Sequence, residues 1–195
     1  GMGYPGRRLG GQLLRCSTAE NPAMPVPPQQ RTEFLVQTLQ RLTSQSRKPL
    51  PLARSLEVGP CGRPRRLPLD VVRVQETVDW PNSVSHCKLR PTFFDDGQLL
   101  RTVKSGAYDL LLSSHCLEHM PNVLLALKHW LRVVRPGGWI INFLPDACDW
   151  SMMDVVRLSM PARHFVDEFR TGQAERHEDE LAISLYRFFA MRLPN

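Results

Sequence analysis

The chain has 195 residues, of which 42% are hydrophobic and 23% charged, and its net charge is +6. That length suits one ordinary domain, with or without a tail, and a chain of this size buries about 70% of the surface its unfolded form exposes. The composition excludes collagen-like and wholly disordered classes, and no stretch approaches the roughly 20 consecutive apolar residues of a membrane-spanning helix.

Residues 1–30 read as a flexible Pro/Gly-rich tail, with Pro22, Pro25, Pro27 and Pro28 close together and no apolar period between them. Residues 31–195 read as a single domain. From Thr32, the residues Phe34, Leu35, Thr38, Leu39 and Leu42 recur at helical spacing, and Ser44 to Ser46 end the run. Short apolar runs then alternate with helical patterns. Ser55-Leu56-Glu57-Val58 predicts a strand entering Gly59, Val71 to Val78 a second, and the stretch between Cys87 and Phe94 a third. Tyr108 to Ser113 predicts a fourth and Trp139 to Leu144 a fifth. Between the last two lies a helix from Pro121 to about Arg135, with Val123, Leu124, Leu127, Trp130, Leu131 and Val134 on one stripe. Pro121 suits its first position, and Pro136-Gly137-Gly138 is expected to stop it. Trp150 to Leu158 and Pro161 to Phe169 read as helices, and Leu181 to Met191 as a helix or one strand. Runs apolar on both faces, separated by crossovers, predict an α/β fold: a Rossmann-like, doubly wound, mostly parallel sheet with helices on both faces.

The positive charge sits largely in the first fifteen residues and at Arg63, Arg65, Arg66 and Arg73. Taken alone it suggests nucleic acid, but no basic run is interleaved with aromatics, so a solvated basic face is the preferred reading. The five cysteines form no Cys-x-x-Cys pair, which argues against a disulfide framework or a zinc knuckle; no metal is expected. Free thiols fit a reducing cytoplasm. Gly1 reads as an extra residue ahead of an initiator Met2, and Leu13-Leu14 between arginines is too short for a signal-peptide core.

The loop Gly59-Pro60-Cys61-Gly62 follows the first strand, and glycine there lets a ligand approach the backbone. Open α/β sheets bind ligands beyond the carboxyl ends of their strands, where the strand order reverses. Asp79 lies 20 residues after Gly59, a spacing that suits a carboxylate on a ribose diol. The Gly-x-Gly-x-x-Gly of nicotinamide cofactors is absent. Asp95-Asp96-Gly97 gives a second acidic strand end. The block Tyr108-Asp109 to Ser113-Ser114-His115-Cys116-Leu117-Glu118-His119 follows, then Pro121 and Leu131-Arg132-Val133-Val134-Arg135-Pro136-Gly137-Gly138.

From Asp109 to Gly138 this pattern closely resembles class I S-adenosylmethionine-dependent methyltransferases of the type 11 kind. Arg157, Pro161, His164 and His177-Glu178 extend the resemblance to a bacterial subgroup, over roughly 55–178. The resemblance implies S-adenosylmethionine as cofactor, with S-adenosylhomocysteine as product. It implies that Gly59, Pro60, Cys61 and Gly62 pass beneath the methionine part, with Glu57 near its amino end. Asp79 would take the ribose hydroxyls, Trp80 would lie beside the adenine, and Asp95 or Asp96 would face the adenine amino group. Ser114 and His115 would lie where the fourth strand opens toward the methyl group. The family has glycine where Cys61 stands and often where Arg63 stands, and its sheet ends in an antiparallel pair; here the usual last one or two strands have little room.

His115, at a strand end, is the candidate catalytic base. His119, His164 and His177 are candidates for the substrate side, and His164 and Asp167 share a helical face. The leading reading is a methyltransferase acting on a small or medium-sized acceptor by in-line displacement. The alternatives are a catalytically inactive methyltransferase-like interaction module and, on charge alone, an RNA methyltransferase. A homodimer through the C-terminal sheet edge is the partner expected besides the acceptor; Phe188-Phe189 would suit that contact, with core packing their preferred use.

Overall fold

The computed structural model describes residues 8–9, 12–13, 28–60, 64–80, 90–144 and 161–172. In chain order these form β1 (Arg8–Leu9), β2 (Gln12–Leu13), α1 (Pro28–Gln45), β3 (Leu52–Val58), β4 (Val72–Asp79), β5 (Phe93–Phe94), β6 (Tyr108–Ser114), α2 (Val123–Val133), β7 (Val134–Phe143) and α3 (Ala162–Thr171). β1 and β2 pair antiparallel within the stretch read as a tail. The other five strands form one sheet in the order β5-β4-β3-β6-β7, every pairing parallel. The order reverses between β3 and β6, which places a crevice where their carboxyl ends part.

The sheet is apolar on both faces because helices cover both. Along β6, Leu110 and Leu112 point toward the cluster built on Leu35 and Leu39 of α1. Leu111 points the other way, into the cluster built on Ala126, Trp130 and Val133 of α2, and Tyr108 joins that cluster from beyond the irregularity that separates it from Leu110. The alternation of Leu110, Leu111 and Leu112 puts α1 and α2 on opposite faces. Trp130 is fully buried and satisfies its indole N–H on the Gly97 carbonyl at 2.7 Å.

Several boundaries move, each for a local reason. α1 begins at Pro28 rather than Thr32, proline being well tolerated in a first helical turn. β3 starts at Leu52 rather than Ser55. The Asp109 carboxylate accepts from the Ala53 and Arg54 amides at 2.8 and 3.0 Å, and Arg54 pairs with Glu76, which extends the strand. α2 starts after Asn122, whose side chain accepts from the Leu125 amide, so Pro121 precedes the cap and is not the first helical residue. The helix ends at Val133, before Pro136-Gly137-Gly138; that triplet lies inside β7. Between the Val134–Tyr108 and Trp139–Leu110 pairings, β7 advances five residues while β6 advances two. Gly138 permits this: a Cβ there would come 2.7 Å from the Asp109 carbonyl. Only Phe93–Phe94 of the third expected strand is strand: Arg90, Pro91 and Thr92 are described and are not strand, and 87–89 lie outside the described residues. α3 runs to Thr171 and ends on Gly172 in the left-handed conformation. The expectations for Trp150 to Leu158, Leu181 to Met191 and the Phe188-Phe189 contact also fall outside the described residues, as does the question of the last two strands. Among the described residues no helix is long and apolar enough to cross a membrane.

Candidate functional site

A cavity of about 610 Å³ opens at the carboxyl ends of β3 and β6. Glu57, Gly59, Pro60 and Ser114 line it, together with Arg31 of α1 and with Arg65 and Arg66 of the loop after β3, whereas Asp79, Trp80, Asp95, Asp96 and His115 are not in its lining. Cys61 and Gly62 lie outside the described residues.

Glu57 ends up buried because β3 alternates apolar and polar positions through the middle of the sheet, where even its last residues are covered. Its Oε2 accepts from the Arg65 amide at 2.6 Å, and the Arg65 Nε stands 3.8 Å from its Oε1. Burial pushes the Glu57 carboxyl above the ordinary value of 4.5, and the amide bond and the Arg65 charge pull it back only in part. The Arg65 guanidinium donates to Ser114 Oγ at 2.7 Å and lies 4.8 Å from the Phe143 ring centroid. Arg65 was expected on a solvated basic face; only 12% of its side chain is exposed. A buried carboxylate draws it inward, whereas Arg66 and Arg73 are exposed as expected. No local signal marks Arg65, because the acid that holds it lies eight residues earlier in the chain.

His115 follows Ser114 in a left-handed conformation, with φ of 51°. Its amide donates to the Phe143 carbonyl, so β7 fixes its position. Nη1 of Arg31 is 3.1 Å from its Nε2. A guanidinium can only donate, so Nε2 accepts and the ring proton is assigned to Nδ1, which faces Glu118 at 3.8 Å. Glu118 stands at the same distance from Nε2 of His119. The short turn Leu117–His119 therefore sets one carboxylate between the two histidines.

Gly59 has φ of +67°, and a Cβ there would meet the Cys116 sulfur at 2.5 Å. Glycine is therefore required by the turn and by Cys116 behind it. The Cys116 thiol is pushed up to about 12, first by burial, then by Glu118 and Asp79, so it is protonated and inert. Asp79 and Trp80 lie at the end of the neighbouring strand. Asp79 Oδ1 accepts from the Trp80 amide at 2.9 Å, and the indole is half exposed. Asp95 follows β5, and both of its oxygens serve its own turn: Oδ2 accepts from the Thr102 amide and hydroxyl at 2.6 and 2.7 Å, and Oδ1 from the Asp96 amide at 2.7 Å. Asp96 Oδ1 accepts from the Gln98 amide. His164 sits on α3 with Nε2 3.3 Å from Glu168, one turn on, and not on Asp167; neither His164 nor His119 lines the cavity. His177 lies outside the described residues. Among the described residues, no group of three or more His, Cys, Asp and Glu side chains gathers as a metal site would require.

Residues 83–142 match the family described as "Methyltransferase domain", a span that includes β5, β6, α2 and most of β7. No curated protein matches the chain. Among solved structures, the chain is similar to the trans-methyltransferase CalH in complex with SAH, at 19% identity and a TM-score of 0.38, over 66% of this chain and 38% of that one. It is similar to the carbon methyltransferase CurJ at 14% identity and a TM-score of 0.43, over 61% and 36% of the two chains. A SAM-dependent methyltransferase of Thermotoga maritima matches at 20% identity and a TM-score of 0.37, over 58% and 56%. The chain thus spans less than two thirds of the length of each.

Proposed function

We propose, on the match of residues 83–142 to the methyltransferase-domain family, that the chain is an S-adenosylmethionine-dependent methyltransferase acting on a small or medium-sized acceptor. The family match over β6 and α2 is the observation that carries this reading. The crevice supports it by its donor set. The cofactor presents an ammonium, a carboxylate, a diol and a flat aromatic base, and acids stand at the ends of two adjacent strands, beside a half-exposed indole. Glu57 and the backbone at Gly59 would hold the amino-acid end, Asp79 the ribose hydroxyls, and Trp80 would flank the adenine. Asp96 is the better partner for the adenine amino group, because Asp95 is engaged in its own turn.

When bound, the cofactor supplies an electrophilic methyl group on sulfur. The chain's own residues orient the acceptor in line with that group and shield both from water. Ser114 and His115, at the end of β6, face this exchange. His115 Nε2 serves as proton acceptor for an acceptor that reacts as a neutral hydroxyl or amine, once Arg31 has released it.

A thermal shift assay with S-adenosylmethionine and S-adenosylhomocysteine, with NAD as control, tests the reading. At a hundred times its dissociation constant a ligand adds about 2.7 kcal/mol, a rise in Tm of roughly 5–10 °C for a domain of this size. A shift with both sulfur ligands and none with NAD is the expected result. No shift with either removes the cofactor and leaves a methyltransferase-like binding module.

A further inference from the structure

The arginines of the cavity differ from those elsewhere in how they are neutralised. At the opposite end of the sheet, Arg54 makes a fork on Glu76 with bonds of 3.1 and 2.5 Å, and Arg135 is paired with Asp109. At the cavity, among the described residues, no carboxylate lies within hydrogen-bonding distance of the guanidinium of Arg31 or Arg65. Each instead donates to a neutral group, His115 in one case and Ser114 in the other, on two consecutive residues at the end of β6. Arg66 lines the same cavity, against only Glu33 and Glu57. Glu57 uses one oxygen on the Arg65 amide and holds the other 3.8 Å from the Arg65 Nε. Burial lowers the Arg65 pKa, Glu57 raises it and Arg31 lowers it again. Three arginines against two glutamates give the cavity lining, among the described residues, an excess of positive charge.

Two aromatic rings lie behind these arginines, outside the cavity lining itself. Phe34, one turn beyond Arg31 on α1, is 58% exposed, and its ring meets Phe143 edge-on at 6.3 Å. Phe143 carries the Arg65 guanidinium on its other contact. A charged fork beside two rings suits a planar apolar body bearing a carboxylate.

Resting on the methyltransferase reading above, we propose that Arg31, backed by Arg65, binds the carboxylate of an aromatic acid that is the methyl acceptor. Capture of Arg31 by that carboxylate withdraws its N–H from His115 and exposes the Nε2 lone pair, so the base is uncovered when the acceptor arrives.

Calorimetry on the full chain tests this with three probes: 4-hydroxybenzoate, its neutral counterpart 4-hydroxybenzamide, and S-adenosylhomocysteine. The benzoate is expected to bind at least about tenfold tighter than the benzamide. Arg31→Gln is expected to weaken benzoate about tenfold and erase the preference, while Arg31→Lys keeps most of it, which separates charge from a folding defect. Equal affinities for the two probes, binding of neither, or an Arg31→Gln chain that still prefers the benzoate each overturn the proposal. So does a loss of S-adenosylhomocysteine affinity in Arg31→Gln, which would assign the arginine to the carboxylate of the cofactor. Failure of S-adenosylhomocysteine to bind the parent chain, with the benzoate preference intact, overturns the cofactor reading and supports the anion site.

Discussion

Glu57 and Asp109 are both buried acids on the two central strands, both with an arginine beside them, yet they lie at opposite ends of the sheet and have opposite surroundings. Asp109 opens β6, where its Oδ2 accepts two backbone amides of β3 and its other oxygen meets Arg135. Glu57 lies near the end of β3, holds one amide, and shares a cavity with guanidiniums that do not fork onto it. The first arrangement ties strands together through two backbone amides and an ion pair. The second leaves the acid costly to ionise and facing a cavity. Burial and pairing alone do not distinguish structure from function; what the carboxylate binds does, backbone of a neighbouring strand in one case and a cavity wall in the other.

The sharpest way to break this contrast is at the closed end. Asp109→Ala removes the acceptor for Ala53 and Arg54 and strips Arg135 of its partner. The expected loss is about 3 kcal/mol, read by urea denaturation, because a buried pair broken on one side leaves its polar groups unsatisfied. An unchanged denaturation midpoint would mean that water replaces Asp109 and that the two ends are not different in kind.

This asymmetry also explains what the sequence reveals. The parallel sheet was legible because β6 is apolar on both faces and the crossovers carry helical stripes. Asp79 was named from its spacing to Gly59, and Ser114 only from the resemblance over Asp109 to Gly138. Arg65 was not, because its burial depends on Glu57 lying eight residues earlier, a long-range pairing that local pattern does not record. Arg31 was missed for the same reason: α1 brings it across 84 positions of sequence to His115. The role of Pro136-Gly137-Gly138 was misread because glycine signals both a helix stop and a strand bulge, and only the neighbouring Asp109 carbonyl decides between them.

At the open end, Asp79→Ala sharpens the comparison by removing an acid without touching the sheet core. Loss of charge-assisted bonds of roughly 1.5–3 kcal/mol is expected to weaken S-adenosylhomocysteine about ten- to hundredfold, with little change in melting temperature. Calorimetry on the variant reads the affinity, and an unchanged value would remove Asp79 from the cofactor site.

The smallest effect is the most specific. Glu57→Gln keeps a side-chain oxygen for the Arg65 amide and removes the charge, so stability should stay within about 1 kcal/mol near neutral pH. The difference between the two chains should nevertheless depend on pH. Because burial raises the Glu57 pKa, the folded state binds the proton more tightly than the unfolded chain does. As pH rises above the ordinary value of 4.5 the unfolded carboxyl ionises first, so the parent chain loses stability until the raised folded pKa is passed, and beyond it the loss is complete and constant. The variant has no such step. Denaturation midpoints of both chains, measured from pH 4 to 7, should therefore diverge in favour of Glu57→Gln as pH increases. Divergence in the other direction would mean that the Arg65 charge outweighs burial, and that Glu57 is paired as securely as Asp109. A saturating cationic ligand offers the converse arm: by adding an ammonium beside Glu57 to the Arg65 charge already there, it should lower that pKa and flatten the divergence, an effect that a purely structural acid would not show.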